Sequence, residues 1–104
     1  MHTKQSIRIK VAAGFWQRFR GLMWARTLPD DQALLIENCR CVHTFFMRFA
    51  LDVIYLNQHM QIVKIHTHVP PWRMRLGSAD AQHTLEMAAG GVDRFHLRIG
   101  DTLD

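Results

Sequence analysis

The sequence predicts an α+β, β-rich fold: a small barrel-like or sandwich domain of about six short strands with one or two short helices. Three observations lead there. Short runs of β-branched and aromatic residues recur along the chain, and breaks rich in Pro, Gly and Asp separate them. Only one stretch spaces its apolar residues as a helix does. A chain of 104 residues has room for one domain, residues 1–104, with one modest core. Its 48% hydrophobic and 21% charged residues separate it from disordered chains.

Taken in order, Ser6 to Val11 alternates Ile7, Ile9 and Val11 with Arg8 and Lys10, the pattern of a strand with one wet face. Gly14 ends it. Phe15, Phe19, Leu22 and Met23 then recur at helical spacing, with Arg18 and Arg20 between them and Arg26 just beyond, which predicts a short amphipathic helix near Phe15 to Trp24. Leu28-Pro29-Asp30-Asp31 is a turn, and Ala33 to Ile36 a short buried strand. Cys41 to Met47 and Leu51 to Leu56 are the strongest strand candidates. Asn57-Gln58-His59 joins the latter to a strand over Gln61 to His66, as a hairpin without the Asn-Gly signal. Val69-Pro70-Pro71-Trp72-Arg73 is a loop, because two prolines remove ladder donors. His83 to Ala88 is a strand, Val92 to His96 a helical turn, and Gly100-Asp101 leads into a short last strand.

The first residues run into the first strand without an apolar stretch of signal-peptide length. No apolar run approaches the ~20 residues of a spanning helix. A cytoplasmic location with no membrane contact is therefore expected. Cys39 and Cys41 are two residues apart on an extended chain, too far for a comfortable bridge, and are read as thiols. The net charge is +4, carried by ten Arg and three Lys, but the Arg residues are scattered, so no nucleic-acid partner is expected.

Two carboxylates stand out. Asp52 lies in Leu51-Asp52-Val53-Ile54-Tyr55-Leu56, which is apolar on both faces, and Glu86 lies between Leu85 and Met87. Burying either costs several kcal/mol unless it is paired or hydrogen-bonded. Each is therefore either a tie that holds a loop or an arginine such as Arg48, or a group that faces a ligand. The two would form an acid–base pair only if the fold brought them together.

Cys39, Cys41 and His43 would share one face of a regular strand, and His66 and His68 form a second alternating pair. Thiolate and imidazole suit zinc or copper, but no Cys-x-x-Cys knuckle or His-Glu-x-x-His helix is present, so no metal or other cofactor is expected. Cys41 with His43 is a poor nucleophile and base, since such partners usually meet through the fold. Pro71-Trp72-Arg73 sets an indole beside a guanidinium on a stiff loop, suited to stacking on a ring or sugar and clamping an anion, or else to covering an open end of the core.

Five segments then fall in a familiar order: Arg18-Phe-Arg-Gly-Leu-Met23, His43-Thr-Phe-Phe-Met-Arg-Phe-Ala-Leu-Asp-Val-Ile-Tyr55, Pro71-Trp-Arg73, Leu85-Glu-Met-Ala-Ala-Gly90 and Gly100-Asp101. With them the chain resembles, from about Ile7 to its end, the small bacterial and archaeal proteins grouped as domain of unknown function 192. Two local departures show: Ala50 where that family often has Pro, and Gln58-His59 where it has a Gly-containing turn. Many members of the family carry an export signal. The resemblance implies a compact β-rich, barrel-like domain with a helix, and no established activity. Its motifs include Arg20, His43, Met47, Arg48, Asp52, Arg73 and Glu86.

The leading functional expectation is a module binding a small anionic or carbohydrate-like ligand. Its candidate residues are Arg20, His43, Arg48, Asp52, Trp72, Arg73 and Glu86. Two alternatives stand beside it. One is an accessory domain that meets a protein partner through a sheet edge or apolar patch. The other is a hydrolase using His43 with Asp52 or Glu86.

Overall fold

The computed structural model describes residues 7–11, 29–38, 41–42, 49–72 and 76–103. Within them the strands are β1 (Arg8–Val11), β2 (Gln32–Ile36), β3 (Cys41–Val42), β4 (Leu51–Leu56), β5 (Ile62–Val69), β6 (Leu76–Gly77) and β7 (His83–Ala88). Among the described residues one short helix, α1, spans Gly91–Arg94. Five strands form a mixed sheet in the order β1-β2-β7-β4-β5, and β3 pairs with β6 in a separate two-stranded ribbon. The expectation of a β-rich fold thus holds among the described residues.

The run Leu51–Leu56 is apolar at five of its six positions because both sides of β4 are covered; all six residues are buried. The period of two divides them between two clusters. Ile54 and Leu56 join Ala33, Leu35, Leu85 and Met87 on one face, roofed by Val92, Phe95, Leu97 and Leu103 from the C-terminal segment. Leu51, Val53 and Tyr55 join Val69 and Ala81 on the other face, with Leu34, Phe49 and Val63 packed against them. β7 occupies the middle of the sheet and pairs antiparallel with both β2 and β4.

The hairpin between β4 and β5 forms without an Asn-Gly turn because the Asn57 side chain substitutes for it. Its Oδ1 accepts from the backbone N–H of His59 at 2.9 Å and of Gln61 at 3.0 Å. Met60 takes the left-handed conformation at φ 61° and its side chain packs against the core. β5 then runs to Val69, three residues beyond the predicted end, because Leu51 pairs with Val69 and extends the ladder.

Three features differ from the sequence pattern. β1 and β2 pair parallel, residue by residue from Arg8 with Gln32 to Val11 with Leu35. The expected last strand is reduced to a single bridge between Gln61 and Thr102, since the C-terminal segment turns at Gly100, φ 100°, and meets β5 only at its start. β6 is two residues long and carries no strand pattern of its own. The helix expected near Phe15 to Trp24, and most of the strand expected over Cys41 to Met47, lie outside the described residues.

Because one side-chain oxygen holds two backbone donors of the hairpin, Asn57→Ala is expected to lower unfolding stability by about 1–2 kcal/mol. Urea unfolding of the two proteins, read at unchanged m-value, checks this.

Candidate functional site

Asp52 and Glu86 lie on adjacent strands, but the register separates them. Asp52 is opposite Met87, and Glu86 is opposite Val53. Paired residues share a face and neighbours along a strand alternate, so the two carboxyls project from opposite sides of the sheet. They do not form a pair.

Asp52 is fully buried. Its Oδ1 accepts from the His68 N–H at 2.9 Å, and its Oδ2 from the N–H groups of Val92 at 2.9 Å and Gly90 at 3.2 Å. Each of these donors comes from backbone that the sheet or helix leaves unserved. Between Leu51/Val69 and Val53/His66 the register slips by one residue, so β5 bulges opposite Asp52, and His68 takes φ 52° there. Gly90, at φ 94°, precedes α1, and Val92 stands in the first turn of that helix. One carboxylate thus ties β4, the bulge of β5 and the start of α1. The same bulge breaks the alternation expected of His66 and His68: His66 is half-buried and His68 exposed.

Glu86 is the other case. It is 5% exposed, between Leu34 of β2 and Val53 of β4. Among the described residues its carboxyl has no ion-pair partner. Burial alone pushes its pKa up to about 7, against an ordinary 4.5. A carboxyl so placed is divided between neutral and charged forms near neutral pH.

The same face carries a polar group that sequence reasoning did not single out. Tyr55 is fully buried, and its hydroxyl lies 3.1 Å from Nδ1 of His66, with the rings edge to face at 5.4 Å between centroids. The Lys64 ammonium stands 5.9 Å from the Tyr55 ring centroid and donates to the Gly77 carbonyl at 3.0 Å, linking β5 to β6. Desolvation, with Lys64 nearby, lowers the pKa of His66 below 6.5. A signal was present in the sequence: Tyr55, Lys64 and His66 alternate with the apolar residues of their strands. Which residues face one another depends on the two bulges of β5, and these have no sequence marker.

Trp72 is 60% exposed at the end of the Pro70-Pro71 turn, with φ 65°. Arg20, His43, Arg48 and Arg73 lie outside the described residues, as do Cys39 and the side chain of Cys41. Among the described residues no group of three or more His, Cys, Asp or Glu is placed to hold a metal ion. None of the described helices is long and apolar enough to cross a membrane.

Comparison with known proteins follows the same lines. The family model DUF192, Uncharacterized ACR, matches residues 1–104. A UPF0127 protein of Thermococcus sibiricus is 31% identical over 105 residues, covering 93% of this chain and 65% of its own length, so the chain spans less than two thirds of that relative. A UPF0127 protein of Pyrococcus furiosus is 30% identical, covering 94% of this chain and 86% of its own. Among solved structures, one from Sinorhizobium meliloti 1021 superposes with a TM-score of 0.81 at 24% identity, covering 92% of this chain and 79% of that one. At that identity the likeness concerns the fold.

Two measurements check the two carboxyls. Asp52→Ala strands three buried donors and is expected to cost on the order of 3 kcal/mol or more in unfolding stability, by chemical denaturation at pH 7. Glu86 gives the opposite sign. The folded state keeps a proton that the unfolded chain releases above about pH 4.5, so this group's contribution falls from there to about pH 7 and is flat beyond. Glu86→Gln is therefore expected to match the parent below pH 4.5 and to exceed it by roughly 3 kcal/mol above pH 7. The difference between the two stability–pH curves isolates the effect.

Proposed function

We propose that this chain, which belongs to the DUF192 family, is a binding module for a small anionic or carbohydrate-like ligand, held at the loop that contains Trp72. The observation that carries the reading is the state of Trp72: a large indole left 60% exposed, on a non-glycine backbone at φ 65°. Left-handed backbone costs a non-glycine residue of order 1 kcal/mol or more, and such outliers concentrate at ligand clamps. Pro70 and Pro71 stiffen the approach, so little loop entropy remains to be lost on binding. An exposed indole stacks on the apolar face of a sugar or a planar ring, and Arg73, next in sequence, supplies a planar guanidinium for carboxylate or phosphate. Arg20, His43 and Arg48 belong to the same proposal as further cationic contacts.

A second reading is favoured by Glu86 alone. A carboxyl that titrates near pH 7 is poised for general acid–base work, as a hydrolase using His43 with Glu86 would need. Asp52 does not enter this reading, because both its oxygens accept from backbone donors.

The test is a thermal-shift panel of organic acids, nucleotides, sugars, divalent metals and short oligonucleotides. A ligand at 100 times its dissociation constant adds about 2.7 kcal/mol, which raises the midpoint of a domain this size by roughly 10–20 °C. The expected result is a shift with one class of anion or sugar that is lost in both Trp72→Ala and Arg73→Ala. A flat panel, or a shift that survives both substitutions, removes the proposal.

A further inference from the structure

The two borders of the five-stranded sheet are built differently. β5 forms one border, and its outer side is blunted along its length. At its start the Ile62 N–H donates to the Asp101 carbonyl at 2.8 Å, and the Ile62 carbonyl accepts from Gly100 at 2.8 Å. Beyond that, two register shifts interrupt its ladder, and Lys64 is tied to Gly77 of β6. Bulges, covering segments and charged side chains are the usual protections of a sheet edge.

β1 forms the other border, and among the described residues it has neither a bulge nor a covering segment; two charged side chains, Arg8 and Lys10, are its protection against a strand of like charge. Its four residues pair with β2 in unbroken register. The Arg8 N–H donates inward, to the Asp31 carbonyl at 2.8 Å. Alternation along the strand then turns the N–H and C=O groups of Ile9 and Val11 outward. Val11 is 50% exposed, and Arg8 and Lys10 are exposed on the opposite face. Arg8 is partly neutralised by Asp31, with Nε and Oδ2 2.9 Å apart, whereas Lys10 forms no ion pair among the described residues.

We propose that the outer side of β1 is a docking edge for an extended acidic segment of a protein partner, which adds a sixth strand. Main-chain bonds to Ile9 and Val11 would supply the pairing, and side chains at alternate positions the selectivity. Charge complementarity selects the occupant. A second copy of this chain pairing antiparallel through β1 would set Arg8 and Lys10 against their own counterparts, and like charges across a strand pair are destabilising. A strand with Glu or Asp on that face and an aliphatic residue against Val11 meets both sides of β1.

The experiment uses two capped synthetic hexapeptides, one alternating glutamate with valine and the other alternating lysine with valine. Binding to the full chain is followed by fluorescence anisotropy and by amide hydrogen exchange. The acidic peptide is expected to bind, to slow exchange at Ile9 and Val11, and to leave β5 unchanged. Val11→Pro removes one outward donor at an exposed edge position where proline is tolerated, and should weaken binding roughly tenfold, the share of one hydrogen bond. Lys10→Glu should reverse the preference between the two peptides. Thermal unfolding of each variant separates a lost contact from a lost fold. Equal binding of both peptides, protection at β5 instead of β1, or no binding of either peptide would overturn the proposal. So would dimerisation of the peptide-free chain that Val11→Pro abolishes, since a second copy would then occupy the edge.

Discussion

The Asp52 carboxylate is the constraint on which most of this arrangement depends. It is fully buried on the second position of the most buried strand, and its oxygens accept from three backbone donors that no regular element satisfies. A charged group in such a place is tolerable only because the donors converge on it. The convergence has structural consequences in two directions. It holds the bulge at Thr67 and His68, which sets how β5 leaves the sheet toward Pro70, Pro71 and Trp72. It also holds the backbone at Gly90 and Val92, from which Phe95, Leu97 and Leu103 descend onto the core. The loop proposed to meet a ligand and the roof of one core cluster are thus tied to the same side chain.

The sheet also keeps its two faces chemically distinct. The face under the C-terminal segment is closed by aliphatic and aromatic packing, with Asp52 buried in it and His83 at its border. The other holds Glu86, the Tyr55 hydroxyl with His66, and Lys64, spread over β7, β4 and β5. Glu86 and His66 are both displaced toward their neutral forms by desolvation, which is what a partly enclosed polar surface does to acids and bases alike.

Much of the fold was legible in advance. Leu51–Leu56 and His83–Ala88 were readable to the residue, the first because a central strand covered on both sides is apolar almost throughout, the second because Ala89-Gly90-Gly91 ends it. The anomaly of a carboxylate in each was equally visible, since charge in an apolar run has few physical explanations. The purpose of each carboxylate was not visible. Asp52 and Glu86 look alike in sequence, yet one meets three donors and the other meets aliphatic neighbours. Strand register decides this difference, and register depends on bulges and long-range pairing. The contact between Tyr55 and His66 escaped notice for the same reason: they are eleven residues apart and meet only through the hairpin.

The sequence by itself determined a β-rich chain, the positions of its central strands, the stiff Pro-Pro-Trp loop and two buried acids. These follow from local rules, namely side-chain period, propensity and the missing proline donor. Only the tertiary structure decided the parallel pairing of β1 with β2, the opposite facing of Asp52 and Glu86, and the contrast between the shifted register of β5 and the unbroken register of β1. Those are relations between segments far apart in the chain. They are set by which strands meet and by single-residue shifts in how they align, and no local pattern encodes either.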